Sequence, residues 1–335
     1  MTKTNGAAEM SATHDDDRLM KCMEVWGGNQ AANGGVVMAG LDAWIYSRPF
    51  EGSKTGGDVH YVSSCATGRV TRLLVADVSG HGAAVSDTAD RLRSLMRRYV
   101  NHIDQRRFVE ALNHEFMGLV REGGFATAVV GTFFGPMSEL SVTIAGHPPP
   151  LVYRAKRKSW SFIESPRSPD EREVRNPPLG VLDEIGFDDV AIRLGVGDLV
   201  LFYTDSLMEA RTADGVTLGL EGLKRLVEST APEPSSEFVE RLLARLAEES
   251  GREVDGDDVT ALLFRPNGLA PRVPLRDRAL APFRVAGGVL RDAWRSPRSM
   301  PWPEMSIASL GGAMFMPLNR LRRRSSRAQP AREDG

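Results

Sequence analysis

Cysteine is scarce in this chain of 335 residues, which contains only Cys22 and Cys65. This count excludes a fold held together by several disulfides and favours a reducing compartment. The sequence also lacks a run of about 18 apolar residues and an apolar signal-peptide core near its start. We therefore predict a cytoplasmic protein with no stable membrane insertion.

An excess of one charge is also missing, because 42 basic and 44 acidic residues give a formal net charge of −2. Such a balance provides no global attraction to nucleic acid or to an anionic membrane. Nucleic acid is therefore not predicted as a partner. The length favours either one large domain with tails or two domains.

Composition divides the chain into three parts. Residues 1–20 are polar and acidic, which predicts a disordered tail. Residues 21–266 carry the periodic apolar patterns of a folded domain. Residues 267–335 form a Pro- and Arg-rich extension that we expect to be partly disordered. Its basic segment at 319–327 leaves open a weak contact with an anionic membrane surface or an acidic partner.

Runs rich in β-branched and aromatic residues, separated by glycine-containing turns, predict nine strands. They are 41–47, 58–65, 69–77, 126–134, 139–146, 150–154, 187–194, 198–205 and 259–265. Apolar residues at three- and four-residue spacing predict helices, with faces formed by Val85, Ala89, Leu92, Met96 and Tyr99 and by Phe108, Leu112, Phe116 and Leu119. Asp104 is the predicted N-cap of the second helix, and a further helical region covers about 219–250. Strands and helices do not alternate, so we predict an α+β fold with antiparallel sheets covered by helices.

Acidic residues occur where these strands begin or end. Asp58 and Asp257-Asp258 precede strands, whereas Asp77 and Asp205 close them. An isolated buried carboxylate is costly and must be hydrogen-bonded, paired or metal-bound. Each acid alone is more often a turn or capping residue. As a group at one sheet end, they would suit Mg²⁺ or Mn²⁺.

Seven motifs at and around these acids resemble those of the PPM (protein phosphatase 2C-type) metal-dependent Ser/Thr phosphatases, in particular the bacterial SpoIIE/RsbU-like branch. They occur in the family's order and cover about residues 35–265. The motifs are GGD (56–58), ADVSGHG (76–82), FATAVVGTFF (125–134), AGHPPPLVYR (145–154), PPLGV (177–181), GDLVLFYTD (197–205) and DDVTALLFR (257–265).

The resemblance implies a central antiparallel β-sandwich flanked by helix pairs, an α-β-β-α architecture, with two Mn²⁺ or Mg²⁺ ions at one end. Carried over by position, Asp77 would bridge the two metals and the carbonyl of Val78 would bind one of them. Asp58 would serve the second metal. Asp205 and Asp257 would hold the first, with Asp258 as a neighbouring ligand. Asp77 and Asp205 would thus be catalytic through the water that the two metals activate.

The sequence departs from the family pattern at several positions. The second acid expected after GGD is missing, since the chain continues Val59-His60-Tyr61; a structural role for His60 is favoured over replacement of that acid. Ser206 replaces the usual glycine after Asp205, and capping of the following short helix is favoured over an effect on the metals. His81 is a candidate general acid, but a role at the helix entry is favoured over it. His147 is expected to be a turn or core residue.

The resemblance implies a protein Ser/Thr phosphatase that acts on a phosphorylated regulatory protein, of the anti-sigma-factor antagonist type used in partner switching. The alternative is a catalytically weak or silent module that keeps the fold for binding. A diguanylate cyclase, suggested by GGD alone, is disfavoured because the characteristic Glu-Phe does not follow.

Overall fold

A computed structural model describes residues 15–20, 24–50, 53–65, 68–80, 83–99, 102, 104–120, 124–165, 175–251 and 257–269. It contains thirteen strands and five α-helices in these ranges. The strands are β1 Asp15–Leu19, β2 Val25–Gly28, β3 Ala32–Met38, β4 Leu41–Arg48, β5 Asp58–Ser64, β6 Val70–Val78, β7 Ala126–Phe134, β8 Glu139–Ala145, β9 Leu151–Arg154, β10 Ser159–Phe162, β11 Val190–Arg193, β12 Leu199–Tyr203 and β13 Val259–Pro266. The helices are α1 Ala83–Arg98, α2 Gln105–Met117, α3 Ser206–Glu209, α4 Gly219–Ser229 and α5 Phe238–Ser250.

The strands form two sheets. The seven-stranded sheet has the order β1-β3-β4-β13-β12-β9-β10, and the six-stranded sheet has the order β11-β8-β7-β6-β5-β2. The pairing is antiparallel throughout, except that β1 runs parallel to β3. This arrangement explains why sequential strands joined by short turns, rather than strand–helix–strand units, fill the sequence.

Three apolar cores hold the layers together. The first lies between the sheets, and Leu73, Val75 and Phe202 are among its members. The second joins the six-stranded sheet to α1 and α2, and the third joins the seven-stranded sheet to α3, α4 and α5. Both faces of the central strands are covered, and all but one residue of β6 is therefore buried. A sheet with one face in solvent would instead show buried and exposed residues in alternation. The predicted α-β-β-α sandwich is confirmed.

The predicted helix faces are also confirmed. All five residues of the first face are buried, Asp104 is the N-cap of α2, and its carboxylate accepts a hydrogen bond from the Arg107 N–H at 3.1 Å. The helical region at 219–250 divides into α4 and α5. Leu119 packs on the second core beyond the end of α2.

The prediction of a disordered tail through residue 20 is wrong for its last residues. Asp15–Leu19 form β1 at the edge of the seven-stranded sheet, and Met20 is buried in the core between the sheets. Backbone pairing at a sheet edge requires little apolar sequence, which is why the acidic composition concealed this strand. Residues 1–14, and the extension beyond residue 269, lie outside the described part of the chain.

Strands β2, β3 and β10 were not predicted. Two of them, VWGG and ANGGVVM, carry paired glycines, which β-propensity disfavours. Gly27 lies so close to the neighbouring strand that a Cβ there would stand 2.5 Å from the His60 carbonyl oxygen. The glycines therefore reflect close strand approach rather than a loop.

No helix among the described residues is long and apolar enough to cross a membrane.

Candidate metal centre

The strand-end acids of both sheets meet at one end of the sandwich. Asp58 and Asp77 are direct cross-strand partners in the six-stranded sheet. In the seven-stranded sheet, Asp205 follows β12 and Asp257 precedes its antiparallel neighbour β13. The Thr204 hydroxyl donates to the Asp58 carboxylate at 2.9 Å, which links the two sheets at this point. Residues 147 positions apart in the sequence, Asp58 and Asp205, thereby belong to one site.

A belt of hydroxyl side chains (Ser47, Thr204, Ser206 and Thr260) closes the core beneath the acids. Thr204 accepts the Thr260 N–H at 3.0 Å, and its oxygen lies 3.3 Å from that of Ser206. The Ser47 and Thr260 hydroxyl oxygens are 2.9 Å apart. All four residues are buried. The belt supplies hydrogen bonds to Asp58 where the apolar core ends, as a buried carboxylate requires.

Asp258 holds the segment that leads into Asp58. Its Oδ1 accepts the Phe50 N–H at 2.7 Å, and its Oδ2 accepts the N–H groups of Gly57 at 2.5 Å and Asp58 at 3.3 Å. Gly56 packs directly on this carboxylate, and a Cβ at that position would lie 2.2 Å from Oδ2. The GGD and DDVT motifs therefore contact each other directly, through the Asp258 carboxylate and the backbone of Gly56, Gly57 and Asp58.

Gly57 packs against both Asp77 and Val78 at the end of β6. A Cβ on Gly57 would stand 3.0 Å from the Val78 carbonyl oxygen and 3.4 Å from Asp77 Oδ1. Asn29 anchors the same turn, since its side-chain amide donates to the carbonyl of Gly56 at 3.1 Å and to the Ser86 hydroxyl at 3.0 Å. The Val78 N–H donates to the Gly57 carbonyl at 3.2 Å, so this turn is held against the end of β6.

Mutual repulsion and burial dominate the electrostatics of the site. Burial raises the pKa of Asp77 to about 7, assisted by the negative charges of Asp205 and Asp257. Burial, followed by the charge of Asp77, also raises the pKa of Asp58 well above its ordinary value. Among the described residues, the charges that act on Asp77 come from acids: Asp205, Asp257, Asp258 and Glu209. Such a group of carboxylates is stabilised by a cation.

Glu209 is a site residue that the sequence analysis missed. It lies at the end of α3, and its pKa is raised by partial burial and then by the charges of Asp205 and Asp257. Its spacing of four residues from Asp205, across one turn of a short helix, was the available signal.

The side chains are near one another but are not closed around a single point. In the part of the chain that the structure describes, no three acidic, histidine or cysteine side chains converge closely enough to hold an ion. The hydrogen bonds above give the reason, since Thr204 engages Asp58 and backbone N–H groups engage both oxygens of Asp258.

His147 connects the two sheets beside the acids. Its Nε2 is 2.8 Å from the Tyr203 carbonyl oxygen, which can only accept, so Nε2 carries the proton. The Thr127 hydroxyl then donates to Nδ1 at 2.9 Å. Thr127 is the cross-strand partner of Asp77. His147 therefore acts as a buried strut, in agreement with the expectation of a core residue.

The neutral form of His147 makes folding stability depend on pH. Burial lowers its pKa to about 4 from an ordinary value of 6.5, so the unfolded chain takes up a proton first as the pH falls. We expect this contribution to be lost between about pH 6.5 and 4, by at most about 1.4 kcal/mol per pH unit. Denaturant unfolding of wild type and His147→Gln across this range measures it.

The loss in free energy of unfolding caused by His147→Gln should be largest near pH 7 and progressively smaller toward pH 4. Burial also lowers the pKa of His60 to about 4, and this histidine is present in both proteins. Its contribution to the pH dependence of stability therefore cancels when wild type is compared with His147→Gln. A difference between wild type and variant that does not change with pH would contradict a His147 ring that burial keeps neutral.

The other residues singled out from the sequence have different outcomes. His60 is buried and its ring meets that of Trp26 edge-on, 6.3 Å between centroids. Ser206 does not cap α3: it is the first residue of the helix, and its hydroxyl oxygen lies 3.3 Å from that of Thr204. His81 lies outside the described residues.

Solved structures of protein phosphatase 2C-type domains share this fold. The RsbU and RsbW domains of a Mycobacterium tuberculosis protein match with 26% identity and a TM-score of 0.57, over 73% of this chain and 64% of that one. The phosphatase domain and a regulatory fragment of SpoIIE from Bacillus subtilis match with 17% identity and a TM-score of 0.55, also over 73% and 64%. The SiaA phosphatase domain of Pseudomonas aeruginosa matches with 18% identity and a TM-score of 0.54, over 67% of this chain and 84% of that one.

The fold and the cluster of strand-end acids thus define a protein phosphatase 2C-type domain of the RsbU/SpoIIE kind. Residues 67–267 match the family model described as Stage II sporulation protein E (SpoIIE), and this chain belongs to that family. It spans 64% of the length of the first two solved chains named above.

Proposed function

We propose that this protein is a metal-dependent protein Ser/Thr phosphatase that removes phosphate from phosphoserine or phosphothreonine of a regulatory protein. The observation that carries the proposal is the meeting of Asp58, Asp77, Asp205 and Asp257 at one end of the sandwich, where only acids act on Asp77. Residues 21–266, together with β1, would form the phosphatase domain.

The residues present fit hard divalent cations. The donors are carboxylates and backbone carbonyls, the ligands that Mg²⁺ and Mn²⁺ prefer. Asp77 would serve both ions and the Val78 carbonyl one of them. Asp58 would belong to one ion, and Asp205 and Asp257 to the other. Two such ions would activate a water and stabilise the charge that develops on the phosphoryl oxygens.

The chain itself would contribute positioning. Thr204 and Thr260 hold Asp58, and the rigid pairing of β5 with β6 holds Asp77. Asp258 would act differently from the other acids: both of its oxygens are engaged by backbone N–H groups, so we assign it to positioning Asp58 rather than to binding metal. Positioning of this kind lowers the reorganisation needed during reaction.

Family membership supports the proposed substrate class. The matched Mycobacterium tuberculosis chain combines an RsbU domain with an RsbW domain, which supports a phosphorylated partner-switching protein of the anti-sigma-factor antagonist type. A solved RsbX structure, 14% identical and with a TM-score of 0.51, contains magnesium, in keeping with a Mg²⁺ or Mn²⁺ requirement.

The test is release of phosphate from a phosphoserine protein by the full chain, with Mn²⁺, with Mg²⁺ and with chelator. We expect release that requires one of the two metals. Calorimetry with Mn²⁺ on the same protein separates the two hypotheses: metal binding without turnover of any phosphoprotein substrate would contradict the substrate class, whereas absence of binding would favour the silent binding module.

A further inference from the structure

A second group of buried polar residues lies away from the acids. Arg72 on β6 has no exposed surface and faces the core shared with α1 and α2. Its cross-strand partners are Ser63 on β5 and Thr132 on β7. This row lies five residue pairs from Asp58 and Asp77, or about 16 Å along the strands.

One side of the Arg72 guanidinium is satisfied. Its Nη1 donates to Gln105 Oε1 at 3.2 Å and to the Thr132 hydroxyl. The amide of Gln105 donates in turn to the Val130 carbonyl at 2.8 Å, which fixes its orientation. The Phe108 ring covers the guanidinium face, 4.1 Å from its central carbon to the ring centroid. The side chain is therefore held in one place.

The opposite edge of the guanidinium is free. Among the described residues, neither Nε nor Nη2 has a hydrogen-bond partner. These two N–H groups form the parallel fork with which arginine binds both oxygens of a carboxylate. The hydroxyls of Tyr61 and Ser63, on the strand beside this edge, have no described partner other than one another. Four buried polar groups on neighbouring strands therefore lack a partner outside this set among the described residues.

The charge of Arg72 is uncompensated as well. Burial lowers its pKa to about 9, so the group is still a cation near neutral pH. The acidic groups that act on it are Cys65, Tyr61 and Asp104, and the Asp104 carboxylate already caps α2. The N-terminus of α2 begins at Gln105 and adds positive potential. Water could satisfy the N–H groups, but only an anion would neutralise the cation.

We propose that the free fork of Arg72, with the hydroxyls of Tyr61 and Ser63, binds a small carboxylate beneath α1 and α2. Planar shape, one negative charge and two oxygens match the fork, and the hydroxyls suit the outer lone pairs. Because Arg72, Ser63 and Tyr61 are all buried, formate, the smallest carboxylate, is the probe. The site does not depend on the proposed phosphatase activity.

The experiment measures the thermal unfolding of the full chain against formate, with chelator present and with ionic strength held constant by sodium chloride. We expect a saturable rise in Tm with wild type, and no rise with Arg72→Met, whose apolar side chain of similar length keeps the core filled. Ser63→Ala and Tyr61→Phe should each raise the apparent Kd about three- to tenfold. Arg98→Met is the matched control, because Arg98 is a partly exposed arginine on α1 that pairs with Glu115.

A direct readout keeps the test valid if Arg72→Met does not fold. The Nε–H resonance of a buried arginine is observable by NMR, and that of Arg72 should shift and saturate with formate. An equal formate response in wild type and Arg72→Met, or an Arg72 Nε–H resonance that formate does not move, would overturn the proposal and leave buried water as the partner.

Discussion

Replacing Asp77 with asparagine is expected to lower metal-dependent phosphate release by about three orders of magnitude. The substitution keeps the size of the side chain but removes the charge that both metals would share. The same change should make the metal-free protein more stable. Burial raises the pKa of Asp77 to about 7, so near that pH the folded protein carries an ionisation penalty that the unfolded chain does not.

The size of this stabilisation follows from the pKa difference. A carboxyl with an ordinary pKa of 3.8 and a folded pKa of about 7 costs on the order of 4 kcal/mol at neutral pH. Asparagine removes that cost. The penalty in wild type develops as the pH rises from about 4 to 7, so the advantage of Asp77→Asn should grow over the same range. Denaturant unfolding in chelator measures it.

The two effects together distinguish a lost ligand from a damaged fold. Wild type should gain stability on addition of Mn²⁺, whereas Asp77→Asn should gain much less and should be inactive. Asp90→Asn is the control, since Asp90 lies exposed on α1 with Arg93 3.8 Å away. Full activity in Asp77→Asn would refute the two-metal assignment, and an inactive but destabilised variant would point to misfolding instead.

The sequence predicted the parts of the fold in which local pattern and tertiary setting agree. β6 and β7 were found because their apolar runs end in acids or glycines, and the α1 face because Val85, Ala89 and Leu92 repeat with the helical period. β1 and β3 were missed, since an acidic strand and a glycine-paired strand are stabilised by their neighbours and not by their own composition.

The site divides in a similar way. Acids at strand ends are visible in a sequence because each breaks an apolar run. The belt that holds Asp58 is not visible in this way, because Thr204 follows β12 and Thr260 lies in β13, about 150 and 200 residues further along the chain. The role of Asp258 could not be read either. In the sequence, an acid next to Asp257 is interpreted as a second metal ligand. Only the structure shows that backbone N–H groups donate to both oxygens of Asp258.

Asp257 and Asp258 are therefore expected to respond in opposite ways to the same substitution. Asp258→Asn removes the charged acceptor of three N–H groups and directs an amide N–H₂ toward them. We expect the free energy of unfolding in chelator to fall by about 2–4 kcal/mol. Asp257→Asn should leave it unchanged or raise it. Among the described residues the Asp257 carboxylate accepts only the Asp258 N–H, at 2.8 Å, and it is repelled by Asp258 and Asp205.

Metal binding should show the reverse order. By calorimetry, Asp257→Asn is expected to weaken Mn²⁺ binding about 100-fold or more, whereas Asp258→Asn should weaken it about tenfold, through the displaced Asp58. Gly56→Ala offers an independent check, since its Cβ would occupy the position of the Asp258 carboxylate and should reproduce the Asp258→Asn behaviour. Gly186→Ala is the matched control, with no atom closer than 3.9 Å to the added carbon.

These outcomes decide between two roles for Asp258 beside the ligand Asp257: a second metal ligand, or a residue that positions Asp58 through hydrogen bonds. If Asp258→Asn is as stable as wild type in chelator and loses metal as severely as Asp257→Asn, the hydrogen bonds to Phe50 and Gly57 do not matter and Asp258 belongs to the metal. If Gly56→Ala follows Asp258→Asn in both stability and affinity, the double glycine and the double aspartate are one structural unit. Asp58 is then placed by a residue 200 positions away, whose carboxylate need never touch an ion.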